Sequence, residues 1–143
     1  MSYTQPSVVN FKDYFARDFP FGATTSYVMD ADITKALTQM EISINPDLFN
    51  NQGSYTIGAL LLSAHFLVLN LRASSQGISG SWGWMTSSKG VGSVNASYQI
   101  PDRILANPEF SILSQTTYGM QYLAMILPAL TAQIFTVRGT TRA

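Results

Sequence analysis

Apolar residues recur at helical spacing in four stretches of this chain, separated by polar and proline-containing segments. The first stretch covers residues 10–20, with Asn10 as a candidate N-cap and Pro20 as the residue that ends the helix. Residues 1–9 are mostly polar and lack helical spacing, so we expect a loose arm in front of the first helix.

The second stretch, DADITKALTQMEISI, predicts an amphipathic helix between Asp30 and Pro46. Asp30 is its candidate N-cap, Asp32 lies in its first turn, and Pro46 limits its length. One face of this helix carries the apolar residues that are expected to be buried: Ile33, Ala36, Leu37, Met40 and Ile44.

The third stretch is expected to begin at Ser54 and is apolar on nearly every side from Ile57 to Leu71. A helix that is hydrophobic all round is usually buried, and we expect Leu61, Phe66 and Leu69 in the core. The alternative is a membrane span. An apolar run of about 15 residues covers roughly 22 Å, however, which is shorter than a ~30 Å hydrocarbon layer.

The fourth stretch predicts a helix from about Thr116 to Leu127, which Pro128 stops or kinks. Residues 129–143 follow an extended pattern and lack helix-ending signals, so they are interpreted as a tail that needs a partner. The predicted organisation is therefore a single domain over 1–128 followed by an extended C-terminal tail.

The segment between the third and fourth helices has a different pattern. Residues 74–92 are rich in Ser, Gly and Thr, as in a loop, and residues 92–100 alternate in the manner of a strand with one buried face. We expect its partner strand over 83–87. The predicted fold class is mainly α, a small helical bundle with a protruding β-hairpin and an extended C-terminal tail.

Composition indicates an assembly subunit. Eight Lys plus Arg balance eight Asp plus Glu, and charged residues make up only 11% of the chain, whereas about a quarter is usual. A chain with so few charges has little ionic surface to keep it apart from other proteins, so partners are expected to cover much of it. Zero net charge also argues against nucleic-acid binding driven by a positive field. The N-terminus resembles no secretory signal, so we expect the cytoplasm as the site of synthesis.

Each candidate motif for catalysis or ligand binding lacks a residue or an element order that it requires. Lys89-Gly90 precedes a strand rather than a helix, which is the wrong order for a phosphate-binding loop. Thr86 occupies the position where a Ser-x-x-Lys nucleophile motif would need Ser. The chain has no Cys, and its single histidine, His65, has no carboxylate at helical spacing, so it is interpreted as a hydrogen-bonded structural residue. We therefore predict no enzyme activity, no metal and no cofactor.

Four features in order resemble a known family. They are Phe15, Asp18, Phe19 and Pro20 in an early element, Ala64-His65 in the buried helix, SSKGVGSVNASY over 87–98, and Thr117-Tyr118-Gly119 opening the last helix. Together they resemble the DUF4054 family of tailed-bacteriophage head-to-tail connector proteins, over residues 11–127. The most specific piece is Ser87 to Gly92 with the alternating strand that follows.

The resemblance implies a structural virion protein in the neck. Such an adaptor forms a ring, dodecameric in the family, beneath the portal protein and above a tail-proximal neck protein. Genomic DNA passes through its channel without sequence-specific binding, and no membrane is involved. Assembly would take place in the host cytoplasm. Alternatives are a tail terminator or stopper ring of the same neck, a holin-like membrane protein and, third, a small enzyme.

Two groups of residues are the predicted contact sites. Trp82 and Trp84 lie two apart between glycines, as aromatic anchors for protein contact do. With the hairpin they form the predicted subunit interface: Trp82, Trp84, Lys89, Val91, Val94 and Tyr98. The tail offers apolar anchors and two arginines for portal docking: Ile134, Phe135, Val137, Arg138 and Arg142.

Overall fold

The protein is mainly helical. The computed structural model describes residues 2–21, 28–76, 88–91, 94–97 and 107–135, with side chains over 2–21, 28–74 and 107–130. Its helices are α1 (Val8–Tyr14), α2 (Asp30–Ser43), α3 (Gln52–Gln76), α4 (Pro108–Leu113) and α5 (Thr117–Phe135), with a 3₁₀ turn over Pro46–Leu48. Two short strands, β1 (Ser88–Val91) and β2 (Val94–Ser97), lie between α3 and α4.

The core forms around α3, which packs against both α2 and α5. Helix α1 packs against α2, and α4 packs against α5. The buried apolar residues of this core come from α1, α2, α3, α5 and the segments beside them: Phe11, Phe15, Val28, Ile33, Ala36, Met40, Ile44, Phe49, Tyr55, Ala59, Leu60, Leu61, Leu62, Ala64, Leu67, Tyr122, Leu123 and Ile126.

The predicted apolar face of α2 is confirmed. Four of the five expected residues are buried, and Leu37 packs against the core while half-buried. The expected cap at Asp30 was wrong, because Asp30 is the first helical residue and Met29 is the N-cap. Asp32 contributes to the cap, because its Oδ2 accepts a hydrogen bond from the Met29 N–H at 3.0 Å.

Helix α3 is the central buried helix, as the pattern predicted. It begins at Gln52 rather than Ser54, because Asn51 Oδ1 accepts the Ser54 N–H at 2.8 Å and so caps the helix. Of the expected core residues, Leu61 is buried, whereas Phe66 and Leu69 are half-buried.

Helix α3 also has the length and apolar composition of a candidate membrane span. Within the described residues, Gln52–Ser74 is the one helical segment that meets the length and composition of a span, with a mean hydropathy of 1.5. Yet 56% of the 18-residue apolar window in this helix is buried inside the structure. This pattern is typical of a core helix, in which other helices cover the apolar surface.

The N-terminal arm is docked rather than loose. Tyr3 stacks on Tyr55 with ring centroids 4.7 Å apart, and its hydroxyl donates to the Phe49 carbonyl at 2.7 Å. The Gln52 amide exchanges two hydrogen bonds with the backbone of Thr4, at 2.9 and 3.0 Å. These contacts join residues 46 to 52 positions apart, which local spacing cannot indicate.

Helix α1 is shifted from its expected bounds. Its N-cap is Ser7, not Asn10, because the two residues form a reciprocal capping box. The helix ends at Tyr14, well before Pro20, and hydrogen bonds to the Phe15 carbonyl continue the chain as a turn.

Helix α5 continues beyond the residue that was expected to end it. It runs through Pro128 to Phe135, so the predicted extended conformation is wrong for residues 129–135. The half-buried Leu127 and Leu130 pack against the core on both sides of the proline. This packing, together with the helix-forming Ala and Leu residues, outweighs the hydrogen bond that Pro128 cannot make. Residues 136–143 lie outside the described part.

The two strands pair antiparallel. Val91 pairs with Val94 and Ser88 pairs with Ser97. The partner of Val94–Ser97 is therefore Ser88–Val91, later in the chain than the expected 83–87, which lie outside the described residues, as do Gly92 and Ser93.

Candidate functional site

The N-terminus of α5 is the point where distant parts of the sequence meet. Tyr118 packs against Phe15 and Phe19, with ring centroids 5.4 and 5.7 Å away. Thr116 contacts His65 of α3, and Gly119 lies beside the same histidine. We call these six residues the α5 junction: Phe15, Phe19, His65, Thr116, Tyr118 and Gly119. Three of the four features that carry the family resemblance contribute to it.

Thr116 holds this junction together through one hydroxyl oxygen. Its Oγ1 accepts the Gly119 N–H at 2.9 Å, which satisfies a free donor in the first turn of α5. The same oxygen lies 2.6 Å from His65 Nδ1. Thr116 therefore caps α5 and links it to α3 at once.

His65 is completely buried, with 0% of its surface exposed. The proton between Nδ1 and Thr116 belongs either to the ring or to the hydroxyl, depending on the tautomer. In both cases the buried Nε2 has no hydrogen-bond partner among the described residues. The prediction of a hydrogen-bonded structural histidine is confirmed at Nδ1.

Gly119 allows the two helices to approach this closely. A Cβ on Gly119 would overlap the Leu113 carbonyl oxygen and would lie 2.7 Å from His65 Nδ1. Any larger residue would therefore have to displace the backbone at the end of α4. The small residue at this position sets the spacing between α3, α4 and α5.

The environment of His65 favours the neutral ring. Burial, and to a smaller extent repulsion from Arg72 on the same helix, together lower the pKa of His65 from 6.5 to about 4. The imidazole is therefore neutral at pH 7. Its ring is enclosed by protein on all sides.

A second feature is a shallow cleft beside the docked arm. Its volume is ≈ 270 Å³, and Tyr3, Pro46, Asp47, Phe49 and Asn50 line it. Asp47 is the single ionisable carboxylate in this lining, and the cleft has no cationic residue. The lining offers no set of convergent polar groups of the kind that orients a small ligand.

Across the described ranges, 2–21, 28–76, 88–91, 94–97 and 107–135, no group of three His, Cys, Asp or Glu residues is placed to hold a metal ion. The ion pair between Lys12 and Asp30 joins α1 to α2 on the surface and contributes little to stability.

The predicted contact residues fall at the limits of the described part. Lys89, Val91 and Val94 lie in the paired strands, where the backbone is described, whereas Trp82, Trp84 and Tyr98 lie outside the described residues. Ile134 and Phe135 belong to the last turn of α5, and Val137, Arg138 and Arg142 lie outside.

Sequence reasoning missed the partner of His65. Thr116 was expected only as the start of the last helix, and Gly119 only as part of a motif. Thr116 is separated from His65 by 51 positions, so no helical period connects them. The sequence did indicate that such a partner exists, because a histidine that is buried on an apolar helix needs a hydrogen-bond partner elsewhere in the chain.

No family model, no curated protein and no solved structure matches this chain.

Proposed function

We propose that this chain is a structural, non-enzymatic subunit of a tailed-bacteriophage neck. In this proposal identical copies form a ring under the portal protein and link the capsid to the tail around the DNA channel. The family resemblance over residues 11–127 suggests this role. The virion neck is the proposed location, and the host cytoplasm is where the subunits assemble.

The observation that carries the proposal is the absence of charge along the C-terminal helical region. Residues 110–137 contain no Asp, Glu, Lys, Arg or His. Helix α5 nevertheless exposes a face, made of Thr117, Met120, Gln121, Ala124 and Pro128. We call this the α5 face. An uncharged surface can enter a protein interface without the cost of desolvating ions, so it suits contact with other subunits.

The hairpin is the second proposed contact. Lys89, Val91 and Val94 on the strands, with Trp82, Trp84 and Tyr98, would contact an adjacent subunit. A strand edge offers backbone donors and acceptors to a neighbouring chain. The interface is heterologous, because a closed ring needs one patch of each subunit to meet a different patch of the next.

A pair of matched variants tests the hairpin contact. Val94→Asp places a charge on one face of β2, and Asn95→Asp places the same charge on the opposite face. We expect the first variant to weaken the ring, since a charge in an interface core is costly, and the second to leave it intact. Intact rings from Val94→Asp would remove the hairpin from the interface.

Portal docking is proposed for the C-terminal end, through Ile134, Phe135, Val137, Arg138 and Arg142. Because Leu130 packs against the core, a truncation that spares the fold must begin after Phe135. Deleting residues 136–143 is expected to preserve the helical signal and ring formation while abolishing portal binding. Unchanged affinity for portal would place the docking surface elsewhere.

Electron microscopy of the chain mixed with the portal protein tests the proposed function as a whole. We expect rings seated coaxially on the portal, with an open channel of a width that admits duplex DNA. Failure to bind portal, together with binding to a tail-end protein, would favour the terminator or stopper alternative.

A holin-like membrane protein is the second candidate, because α3 meets the length and hydropathy of a span. In that case α3 and α5 would separate and cross the bilayer. Extraction of membranes with alkaline carbonate distinguishes the two, since an integral protein stays in the membrane fraction. The neck proposal predicts release.

A further inference from the structure

We propose that the contact between His65 and Thr116 is an acid-sensitive latch, in which protonation of the ring releases the N-terminal end of α5 from α3. The inference stands on the geometry of the α5 junction and does not depend on the proposed neck function. It assigns a conformational role to the single histidine of the chain.

The first argument is that a protonated ring has no place for its second donor. The imidazolium carries an N–H on both nitrogens. Nδ1 can donate to Thr116 Oγ1, but the buried Nε2 has no acceptor among the described residues. A buried charged donor without a partner is costly, so the contact opens rather than holding the ion.

The orientation of α5 also disfavours a charged ring at this position. Thr116 caps its N-terminus, so the ring lies at the end of the helix that carries partial positive charge. A cation at this end is repelled by the helix, whereas the neutral ring is not. Protonation therefore acts on the position that fixes the start of α5.

The surrounding titratable groups do not offset this repulsion. Helix α5 contributes Tyr118 and Tyr122, whose pKa values are raised by burial and which are neutral in acid. Helix α4 contributes the exposed Glu109, and α3 itself contributes Arg72, which repels the charged ring. The carboxylate of Asp18, which acts on Tyr118, is exposed to solvent. The charged residues of the remaining packed elements are also exposed or half-buried: Lys12, Asp13, Arg17, Asp30, Asp32, Lys35, Glu41 and Asp47.

The sign of the pH effect follows from these pKa values. The pKa of His65 is about 4 in the closed state and 6.5 when the ring is solvated. Stability from the closed contact is therefore fully present above pH 6.5 and falls as the pH drops from 6.5 to 4. One proton taken up on opening increases the opening equilibrium constant about 25-fold between pH 7.5 and pH 5.

Hydrogen exchange of the full-length chain at pH 7.5 and pH 5 tests the latch. After correction for intrinsic exchange rates, opening of residues 117–126 is expected to rise about 25-fold at pH 5, while α2 keeps its protection. The matched variant is His65→Asn, whose side-chain amide can donate to or accept from Thr116 in place of Nδ1 but does not titrate. Its α5 amides are expected to change less than two-fold.

Two results would overturn the latch. One is an equal acid response of α5 in the wild type and in His65→Asn, and the other is an equal loss of protection in α2 and α5. If His65→Asn does not fold, NMR titration of the single histidine in the wild type gives an independent answer. A ring that titrates near pH 6.5 in the folded chain contradicts the proposal, and a ring that remains neutral to pH 5 supports it.

Discussion

A single oxygen atom and a missing side chain determine how α5 begins. Thr116 Oγ1 serves both the first turn of α5 and the ring of His65, and Gly119 leaves the space in which they meet. Because these residues form one contact network, their substitutions are not expected to have additive effects.

Substitution of Gly119 tests this close approach. Gly119→Ala places a Cβ against the Leu113 carbonyl and His65 Nδ1, so we expect the free energy of unfolding to fall by about 1–3 kcal/mol. Urea denaturation followed by circular dichroism provides the measurement.

Gly53→Ala is the matched control for Gly119. Gly53 is also helical but exposed, and the nearest atom to its new Cβ is Asn51 Oδ1 at 3.3 Å. We expect a change within about 0.5 kcal/mol, because this substitution also favours the helix. Equal effects of both variants would mean that the junction tolerates the extra methyl group.

The elements differ in how much of them the sequence predicts. Helix α2 was predicted well because its apolar residues follow the helical period, and the whole signal lies within one short stretch of chain, from Ile33 to Ile44. The docked arm was not predicted, since Tyr3 and Thr4 bind residues that are far away in the sequence. The extension of α5 was missed because tertiary packing of Leu130 overrides the local effect of Pro128.

Docking of the arm depends on the Gln52 amide. Gln52→Glu keeps an oxygen that can accept the Thr4 N–H but removes the N–H group that donates to the Thr4 carbonyl. Loss of this bond, with a carboxylate facing a carbonyl, is expected to destabilise the docked arm by about 1–2 kcal/mol. Exchange of the Thr4 amide would then rise about ten-fold.

Gln39→Glu is the control for the arm. Gln39 Oε1 accepts a hydrogen bond from Asn70 at 2.7 Å, and a carboxylate retains that acceptor. We expect unchanged exchange at Thr4. An arm that stays protected in Gln52→Glu would show that the stacking of Tyr3 on Tyr55 is sufficient to hold it.

Pro128 lies in the interior of α5 and removes a backbone donor there. Pro128→Ala would restore the N–H bond to the Ala124 carbonyl, so we expect the free energy of unfolding to rise by about 1–3 kcal/mol. Thermal unfolding provides the comparison.

Pro20→Ala has the opposite expectation, because Pro20 lies outside the helices and restricts the unfolded chain. Its replacement should lower stability by about 0.4–1 kcal/mol. A decrease for Pro128→Ala as well would mean that the proline itself is needed for the packing of α5 against α3.

For the whole molecule, the distribution of charge is the property that connects fold to proposed function. Helix α2 exposes Asp30, Lys35 and Glu41, whereas the α5 face carries no charge. Low charge in the sequence was enough to predict an assembly subunit. The position of the uncharged surface could be defined only from the structure, which shows which residues of α5 are exposed. The strands and the C-terminal end contribute proposed contacts whose side chains lie beyond the described part.

A charge on the α5 face gives the matched test of assembly. Ala124→Glu places a carboxylate in the middle of this face, and Ala31→Glu places the same group on the exposed, charged surface of α2. We expect only Ala124→Glu to reduce the oligomer, since the charge would have to be desolvated there.

The central claim is that copies of this chain assemble into a closed ring, and the molar mass in solution tests it most directly. Light scattering after size-exclusion chromatography of the wild-type chain should give a discrete multiple of 15.7 kDa, and twelve copies correspond to about 188 kDa. Ala31→Glu should elute with the wild type, and Ala124→Glu at lower mass with an unchanged helical spectrum. A wild-type mass of 15.7 kDa at every concentration, with portal present or absent, would contradict the account.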